Sequence, residues 1–176
     1  MSLWKHLREI LVLPGMVTIV VPGVLLYVGK TPLPPILGPL TAIGAVCILV
    51  GLALLVTTDW LFLTVGRGSL APWNPTQRLV VRGVYRHVRN PMISGVFCIL
   101  LGETLLFRSQ WLLGWCAFFA VVNLLYIPLA EEPGLLKRFG ADYQKYRRHV
   151  PRWIPRLRPW RSPSNEKITS KRNEDK

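Results

Sequence analysis

Two adjacent carboxylates stand at the end of an apolar run in a chain that carries few acids. The sequence has nine Asp and Glu against 22 Lys and Arg, and Glu131 and Glu132 follow directly on the apolar run 111–130. Like charges side by side at a membrane boundary are costly unless something compensates them. Either nearby cations pair with them, or one carboxylate holds a cationic group of a ligand. Four basic residues are candidates for the pairing: Arg86, Arg89, Lys137 and Arg138.

A second polar segment precedes another apolar run. Asn90-Pro91 ends a basic loop, and the pair suits a helix start with Asn90 as the N-cap and Pro91 in the first turn. Gly95, one turn further on, would let a ligand or a neighbouring helix approach the backbone closely. These residues predict a capped helix whose first turn can take part in a binding site.

Four apolar runs must position these segments. They cover residues 10–28, 36–56, 92–107 and 111–130, and about 20 apolar residues suffice to cross a bilayer core as a helix. Residues 28–30 offer no cleavage site, so we interpret the first run as a retained span, loosened near Pro14 and Pro22. The sequence predicts an all-α integral membrane protein with about four transmembrane helices. We expect a single domain over 1–160 and a disordered polar tail over 161–176.

The basic residues are distributed unevenly between the connecting segments. The N-terminus, the loop 66–90 and the C-terminal segment hold nearly all of them, whereas the two other turns hold one each, Lys30 and Arg108. The positive-inside rule then predicts cytoplasmic termini, with the central loop and the C-terminal helical segment on the same face. The net charge of +13 favours membrane lipids as partners over nucleic acid, which would require a folded polar face.

The sequence gives no support for a metal site. Cys47, Cys98 and Cys116 lie in separate apolar runs, and the three histidines are scattered, so neither pattern has metal-ligand spacing. Glu103 lies deep in the third run. An intramembrane acid is a functional candidate, but we favour the alternative in which its side chain reaches toward Arg108 at the interface opposite the two motifs.

Taken in order, these segments resemble the family of membrane methyltransferases that includes isoprenylcysteine carboxyl methyltransferase and the phospholipid methyltransferases. The resemblance covers about 66–155. One part is Arg89-Asn90-Pro91 followed by Gly95. The other part is a set of seven positions: Glu131, Glu132, Leu135, Phe139, Gly140, Tyr143 and Tyr146.

The resemblance implies that S-adenosylmethionine binds between the last two helices and their cytoplasmic flanks. A lipid-side opening would admit a lipid-like or small hydrophobic methyl acceptor. The cofactor-binding residues that it implies come from both motifs: Tyr85, Asn90, Pro91, Ser94, Gly95, Glu131, Glu132, Leu135, Phe139, Tyr143 and Tyr146. A carboxylate can neutralise the cationic donor, and the three later aromatic residues either face adenine or anchor the chain at the interface. No residue is identified as a catalytic base.

Two positions depart from the family pattern. Ile93 stands where the family has a tyrosine, and Ser94 is the neighbouring hydroxyl. Isoprenylcysteine methyltransferases tend to carry a basic residue where this chain has Tyr126-Ile127-Pro128, which argues against a prenylcysteine substrate.

The two carboxylates should differ in role. Adjacent residues on a helix project about 100° apart, so both cannot face one small ligand equally. Because Pro133 disfavours a helical conformation at Glu132, we expect Glu132 to turn toward the cofactor and Glu131 to pair with Arg89 or Arg86.

Two other functions stay open from the sequence. One is an NADPH-dependent membrane reductase of the sterol reductase type, whose C-terminal helices are arranged similarly. The other is a non-enzymatic lipid-binding membrane protein that uses its basic tail on anionic headgroups.

Overall fold

The computed structural model describes residues 14–34, 38–66 and 79–160. Within these ranges the chain is helical and contains no strand, which confirms the predicted all-α class. Helix α1 covers Val21–Val28, α2 Pro39–Leu61, α3 Pro91–Phe107, α4 Gln110–Tyr126 and α5 Glu132–His149. Three π-helical turns, Met16–Val20, Phe62–Gly66 and Ile127–Glu131, extend or join these helices, and a 3₁₀ turn covers Gly83–Arg86.

Each predicted apolar run contributes a helix. Two continuous helical stretches, Pro39–Gly66 and Gln110–His149, are long and apolar enough to cross a membrane, and Met16–Val28 and Pro91–Phe107 are shorter apolar helices. The second helix runs past the predicted limit at residue 56. The predicted tail 161–176 and much of the basic loop lie outside the described residues.

Helices α2 and α3 pack antiparallel through glycines. A β-carbon at Gly51 would lie 2.5 Å from the carbonyl oxygen of Gly95, and one at Gly44 would lie 2.7 Å from that of Gly102. Backbone atoms cannot give way at such distances, so only glycine permits this approach. Of the two neighbours that Gly95 was expected to admit, ligand or helix, the structure places a helix there.

The junction between α4 and α5 differs from the prediction. The backbone stays helical through a π turn, and Glu132 has φ −61° and ψ −42°. The expectation that Pro133 extends Glu132 is therefore wrong. Pro128 lies within this π turn and Pro133 follows it. Neither has an N–H to donate, and the π turn is where the continuous helix departs from the regular α-helical hydrogen-bond pattern.

The residues after α5 return to the loop ahead of α3. We call residues 150–160 the C-terminal strap. Its backbone joins the loop by three hydrogen bonds of 2.9–3.0 Å, from Arg89 N to Pro151 O, from Arg156 N to His87 O and from Trp160 N to Arg86 O. The loop, the start of α3, the α4–α5 junction and the strap thus meet at one end of the helix bundle.

Candidate functional site

Glu132 lies at the centre of an arginine cluster at this end. Its side chain is 4% exposed, and its Oε1 accepts hydrogen bonds from Arg89 Nη1 at 2.8 Å and Arg152 Nε at 2.8 Å. Arg147 Nη1 lies 3.4 Å from Oε2. One carboxylate therefore ties together the loop, α5 and the strap. The prediction that Glu132 is the carboxylate left for a ligand is not supported by this geometry.

Glu131 has the opposite environment. It is half-buried, and within the described part of the chain no cation pairs with it and no donor bonds to it. Burial raises its pKa, the adjacent Glu132 carboxylate raises it further, and Arg89 partly offsets the increase. The expected pairing of Glu131 with Arg89 or Arg86 is wrong, because the nearer guanidinium is already engaged by Glu132. Glu131 is therefore the carboxylate that has no ion pair of its own within the described residues.

The motif aromatic residues of α5 form a small core. Tyr143 and Tyr146 are each 3% exposed and cluster with Val81 and Val150, while Leu135 and Phe139 pack against them partly buried. Burial raises the pKa of both phenols. Neither tyrosine is an exposed anchor at the interface. Their principal contacts hold α5 against the loop and the strap.

Two tyrosine hydroxyls connect this core to the loop. Tyr146 Oη donates a hydrogen bond to the carbonyl oxygen of Tyr85 at 2.7 Å, and Arg89 Nη1 donates to Tyr143 Oη at 3.4 Å. The first bond is short and buried. It fixes the position of the loop along α5.

Tyr85 belongs to the loop and packs its ring beside the C-terminal end of α2. Its ring stacks on Phe62 with centroids 5.5 Å apart. Thr58 Oγ1 is buried with no hydrogen-bond partner among the described residues, and Thr58 acts to lower the pKa of Tyr85. Burial raises the pKa of Tyr85, and so do the nearby Tyr146 and Glu131.

The start of α3 contributes the Asn90 amide. Pro91 occupies the first helical turn as predicted and is fully buried. Asn90 takes the N-cap position, but its side chain makes no capping hydrogen bond. Its carbonyl instead accepts from Ser94 N at 3.1 Å and Ser94 Oγ at 3.0 Å. The Ser94 hydroxyl is therefore used within the helix, while the Asn90 amide does not serve the backbone of α3.

The predicted site residues separate into two groups. The loop, the start of α3 and the α4–α5 junction bring Tyr85, Asn90 and Glu131 to one end of the bundle. The other residues have a packing or pairing role, and they are Pro91, Ser94, Gly95, Glu132, Leu135, Phe139, Tyr143 and Tyr146.

Sequence reasoning missed several residues that build this end. Arg147 and Arg152 resemble the rest of a generic basic tail, although an excess of arginine close to two carboxylates was a usable signal. Thr58 and Phe62 lie in the extension of α2 beyond residue 56, and nothing in their local pattern indicated that they would contact the loop.

Away from this end, the expected contact of Glu103 with Arg108 is absent. Glu103 Oε2 is buried with no hydrogen-bond partner among the described residues. The three cysteines are free thiols. In the described ranges no three His, Cys, Asp or Glu side chains are grouped so as to hold a metal.

Comparison with known proteins identifies the family. Residues 40–142, more than half of the chain, match the family model described as phospholipid methyltransferase. The chain belongs to the phospholipid methyltransferase family. This confirms the resemblance drawn from the two motifs. The family match covers the first motif and the second motif as far as Gly140, and it ends within α5. Tyr143, Tyr146 and two arginines of the cluster, Arg147 and Arg152, lie beyond it.

A relative in Bradyrhizobium diazoefficiens, methanethiol S-methyltransferase 2, is 40% identical over 77 residues. The alignment covers 42% of this chain and 27% of that protein, so the chain spans about a quarter of the relative's length. No solved structure matches the chain. Membership of the phospholipid methyltransferase family supports methyl transfer and membrane association.

Proposed function

We propose that the protein transfers a methyl group from S-adenosylmethionine to a lipid-like or small hydrophobic acceptor at the cytoplasmic face of the membrane. The observation that carries the proposal is the half-buried Glu131 carboxylate, beside which the described residues place no paired cation. An uncompensated buried charge is costly unless a ligand supplies the opposite charge. Within a methyltransferase family, the cationic methyl donor is the ligand that fits this position.

The residues at this end suit the cofactor in three respects. Glu131 can hold a positive group, and the Asn90 amide can both donate and accept hydrogen bonds. Arg89 Nε is buried without an acceptor among the described residues, so it offers one further donor to an anionic group. S-adenosylmethionine supplies an activated methyl group whose transfer requires in-line alignment of donor and acceptor.

In this reaction, the residues of this chain chiefly position the donor and the acceptor and exclude water from the site. The Glu132–arginine cluster and the Tyr146 bond hold the loop and the strap in place. A rigid site of this kind lowers the entropic cost of bringing donor and acceptor together. No described side chain is assigned as a general base. A thiolate or carboxylate acceptor would not need one, whereas an amine would.

The membrane arrangement is part of the proposal. Four spans with both termini cytoplasmic place the loop and α5 on the side where the donor is synthesised. The exposed apolar residues of α4, such as Leu124 and Leu125 at 53% and 57% exposure, would face lipid beside the site. An acceptor that is soluble in the bilayer can then reach the site laterally. The relative's name is consistent with a small thiol acceptor.

The test is calorimetry in detergent with S-adenosylhomocysteine, followed by incubation with methyl-labelled S-adenosylmethionine. A membrane lipid extract and methanethiol serve as parallel acceptors. We expect binding of the S-adenosyl compound and label in one of the two acceptors. Binding of NADPH without binding of an S-adenosyl compound would refute the proposal in favour of the reductase. Binding of neither cofactor would leave the lipid-binding function.

A further inference from the structure

A cavity lies at the opposite end of the bundle from the arginine cluster. It has a volume of about 420 Å³ and is open to the outside, between the end of α1 and the turn that joins α3 to α4. The 17 residues of α3 separate the two ends by about 25 Å at 1.5 Å per residue. This cavity is therefore not part of the proposed methyl-transfer site.

The cavity is basic and contains no acid. Lys30 and Arg108 line it, and none of its lining residues is Asp or Glu. Among the described residues neither cation has a carboxylate within ion-pair distance. They are also the only two basic residues that the sequence places in the turns at this end. Two unpaired cations at one opening attract an anion.

The two cations are held by contacts that connect the two turns. The hydroxyls of Thr31 and Ser109 are hydrogen-bonded to each other at 3.3 Å, and Ser109 is buried. The Trp111 indole lies directly on Gly29, where a β-carbon would collide with it. The turns are thus fixed to each other, and the cavity between them is built before any ligand arrives.

The backbone at both basic positions is unusual. Lys30 has φ 47° and Arg108 has φ 50°, and no other non-glycine residue in the described ranges has a positive φ. Residues other than glycine and asparagine seldom adopt this conformation. Glycine or asparagine would adopt this backbone conformation with less strain, yet the chain has a cation at both positions.

The surface beside the cavity is apolar. Tyr27 is 86% exposed, Leu33 90% and Trp111 52%. In a membrane protein such residues contact acyl chains, and tryptophan and tyrosine sit at headgroup level. The combination of two cations, hydroxyls and an apolar border fits a molecule with a phosphate head and a hydrocarbon body.

We infer that this cavity binds the phosphate of an anionic glycerophospholipid, with Lys30 and Arg108 as its cationic partners. The absence of an acid from the lining favours a headgroup with net negative charge, because nothing in the lining would hold the ammonium of a zwitterionic lipid. One hydroxyl proton of the Thr31–Ser109 pair is used between the two residues, and the other can be donated to a phosphate oxygen. This site is independent of the methyl donor and of the acceptor.

The experiment measures individual lipid-binding events on the full chain by native mass spectrometry. Phosphatidylglycerol is titrated against the protein released from detergent, with phosphatidylcholine and inorganic phosphate as separate ligands. The variant is Lys30→Asn with Arg108→Asn, because asparagine tolerates the left-handed backbone and so preserves both turns. The control is Lys137→Gln with Lys145→Gln, which removes the same charge from exposed positions on α5.

A basic residue close to an anionic lipid surface contributes about a fivefold change in binding. We therefore expect the double asparagine variant to weaken the first phosphatidylglycerol binding event about 25-fold, and the control to leave it within about twofold. Circular dichroism and gel filtration of each variant check that it is folded. A lone Arg108→Lys variant provides a second measurement, and it should retain most of the binding.

Three results would overturn the inference. One is unchanged phosphatidylglycerol binding by the folded double asparagine variant. Another is an equal loss in the control, which would indicate general charge attraction. The third is displacement of the lipid by inorganic phosphate at equal concentration, which would make free phosphate the ligand. Because none of these measurements involves an S-adenosyl compound, the inference can fail while the proposed function stands.

Discussion

Glu131→Gln separates the two requirements that act on this residue, folding and binding. The substitution keeps the shape of the side chain and removes its charge. In the folded protein Glu131 is half-buried and no described cation pairs with it. If the charge serves to hold the cationic donor, the variant should lose affinity for S-adenosylmethionine without losing stability.

The expected loss of affinity is that of one hydrogen-bonded contact to a charged group, about 1.5–3 kcal/mol. This corresponds to an increase of about 10- to 150-fold in Kd. S-adenosylhomocysteine lacks the sulfonium charge of the donor and would report only part of this loss. The assay is therefore calorimetry with S-adenosylmethionine itself, in detergent at a pH of about 7.5, where an ordinary carboxyl group is ionised.

The effect on stability has the opposite sign and depends on pH. Burial raises the pKa of folded Glu131 above its ordinary value of 4.5, so the folded state binds more protons than the unfolded state in the interval between the two values. Stability therefore falls as pH rises through this interval. The amide that replaces the carboxylate in the variant carries no such penalty. Thermal unfolding should show a higher Tm for the variant than for the wild type at neutral pH. This difference in Tm should shrink as the pH is lowered toward the ordinary pKa of a glutamate side chain.

Glu132→Gln is the matched control. It leaves Arg89 and Arg152 around a neutral amide, and breaking a buried ion pair costs about 3–5 kcal/mol. The Arg147 contact adds little because that side chain is 52% exposed. We expect a lower Tm in this variant. The reasoning is refuted if Glu131→Gln binds S-adenosylmethionine like the wild type while Glu132→Gln loses binding at an unchanged Tm.

Three further predictions concern packing, the loop and topology. Gly51→Ala should destabilise the protein by about 1–3 kcal/mol in thermal unfolding, because the added methyl group meets backbone atoms of α3. Gly114→Ala is the control: its methyl group enters open space, so the variant should be as stable as the wild type or more stable by up to about 1 kcal/mol. Tyr146→Phe should cost about 0.5–1.5 kcal/mol through loss of its bond to the loop carbonyl, and equal Tm values for variant and wild type would show that the bond adds nothing. Cysteines at Ser69 and Ser164, introduced after the three native cysteines are replaced by alanine, should react with an impermeant maleimide only in lysed cells, and reaction in intact cells would contradict cytoplasmic positions for both segments.

The helices could be predicted from the sequence because each follows from local composition. The four apolar runs match the observed helices α1 to α4 to within a few residues over the described ranges, apart from the extension of α2 beyond residue 56. Pro91 was also predictable at the start of α3, since its role depends only on the residues beside it. These features required no knowledge of distant contacts.

The roles of the two carboxylates could not be predicted in the same way. The partners of Glu132 lie 43 residues before it and 15 and 20 residues after it, and the last of these belongs to a segment without regular secondary structure. Local reasoning from Pro133 suggested an extended backbone, but the π turn that accommodates both prolines keeps Glu132 helical. The tertiary fold determines which carboxylate faces the arginines.

The glycine contacts between α2 and α3 also fix how far one helix can shift along the other. On each helix the two glycines are seven residues apart, and Gly44 meets Gly102 while Gly51 meets Gly95. Shifting one helix along the other by a single residue would bring a side chain against backbone at both points, so only one register between the two helices is allowed. That register sets the position of Asn90, at the start of α3, relative to Thr58, near the end of α2, so the packing of two helices away from the loop fixes which residues meet beside it.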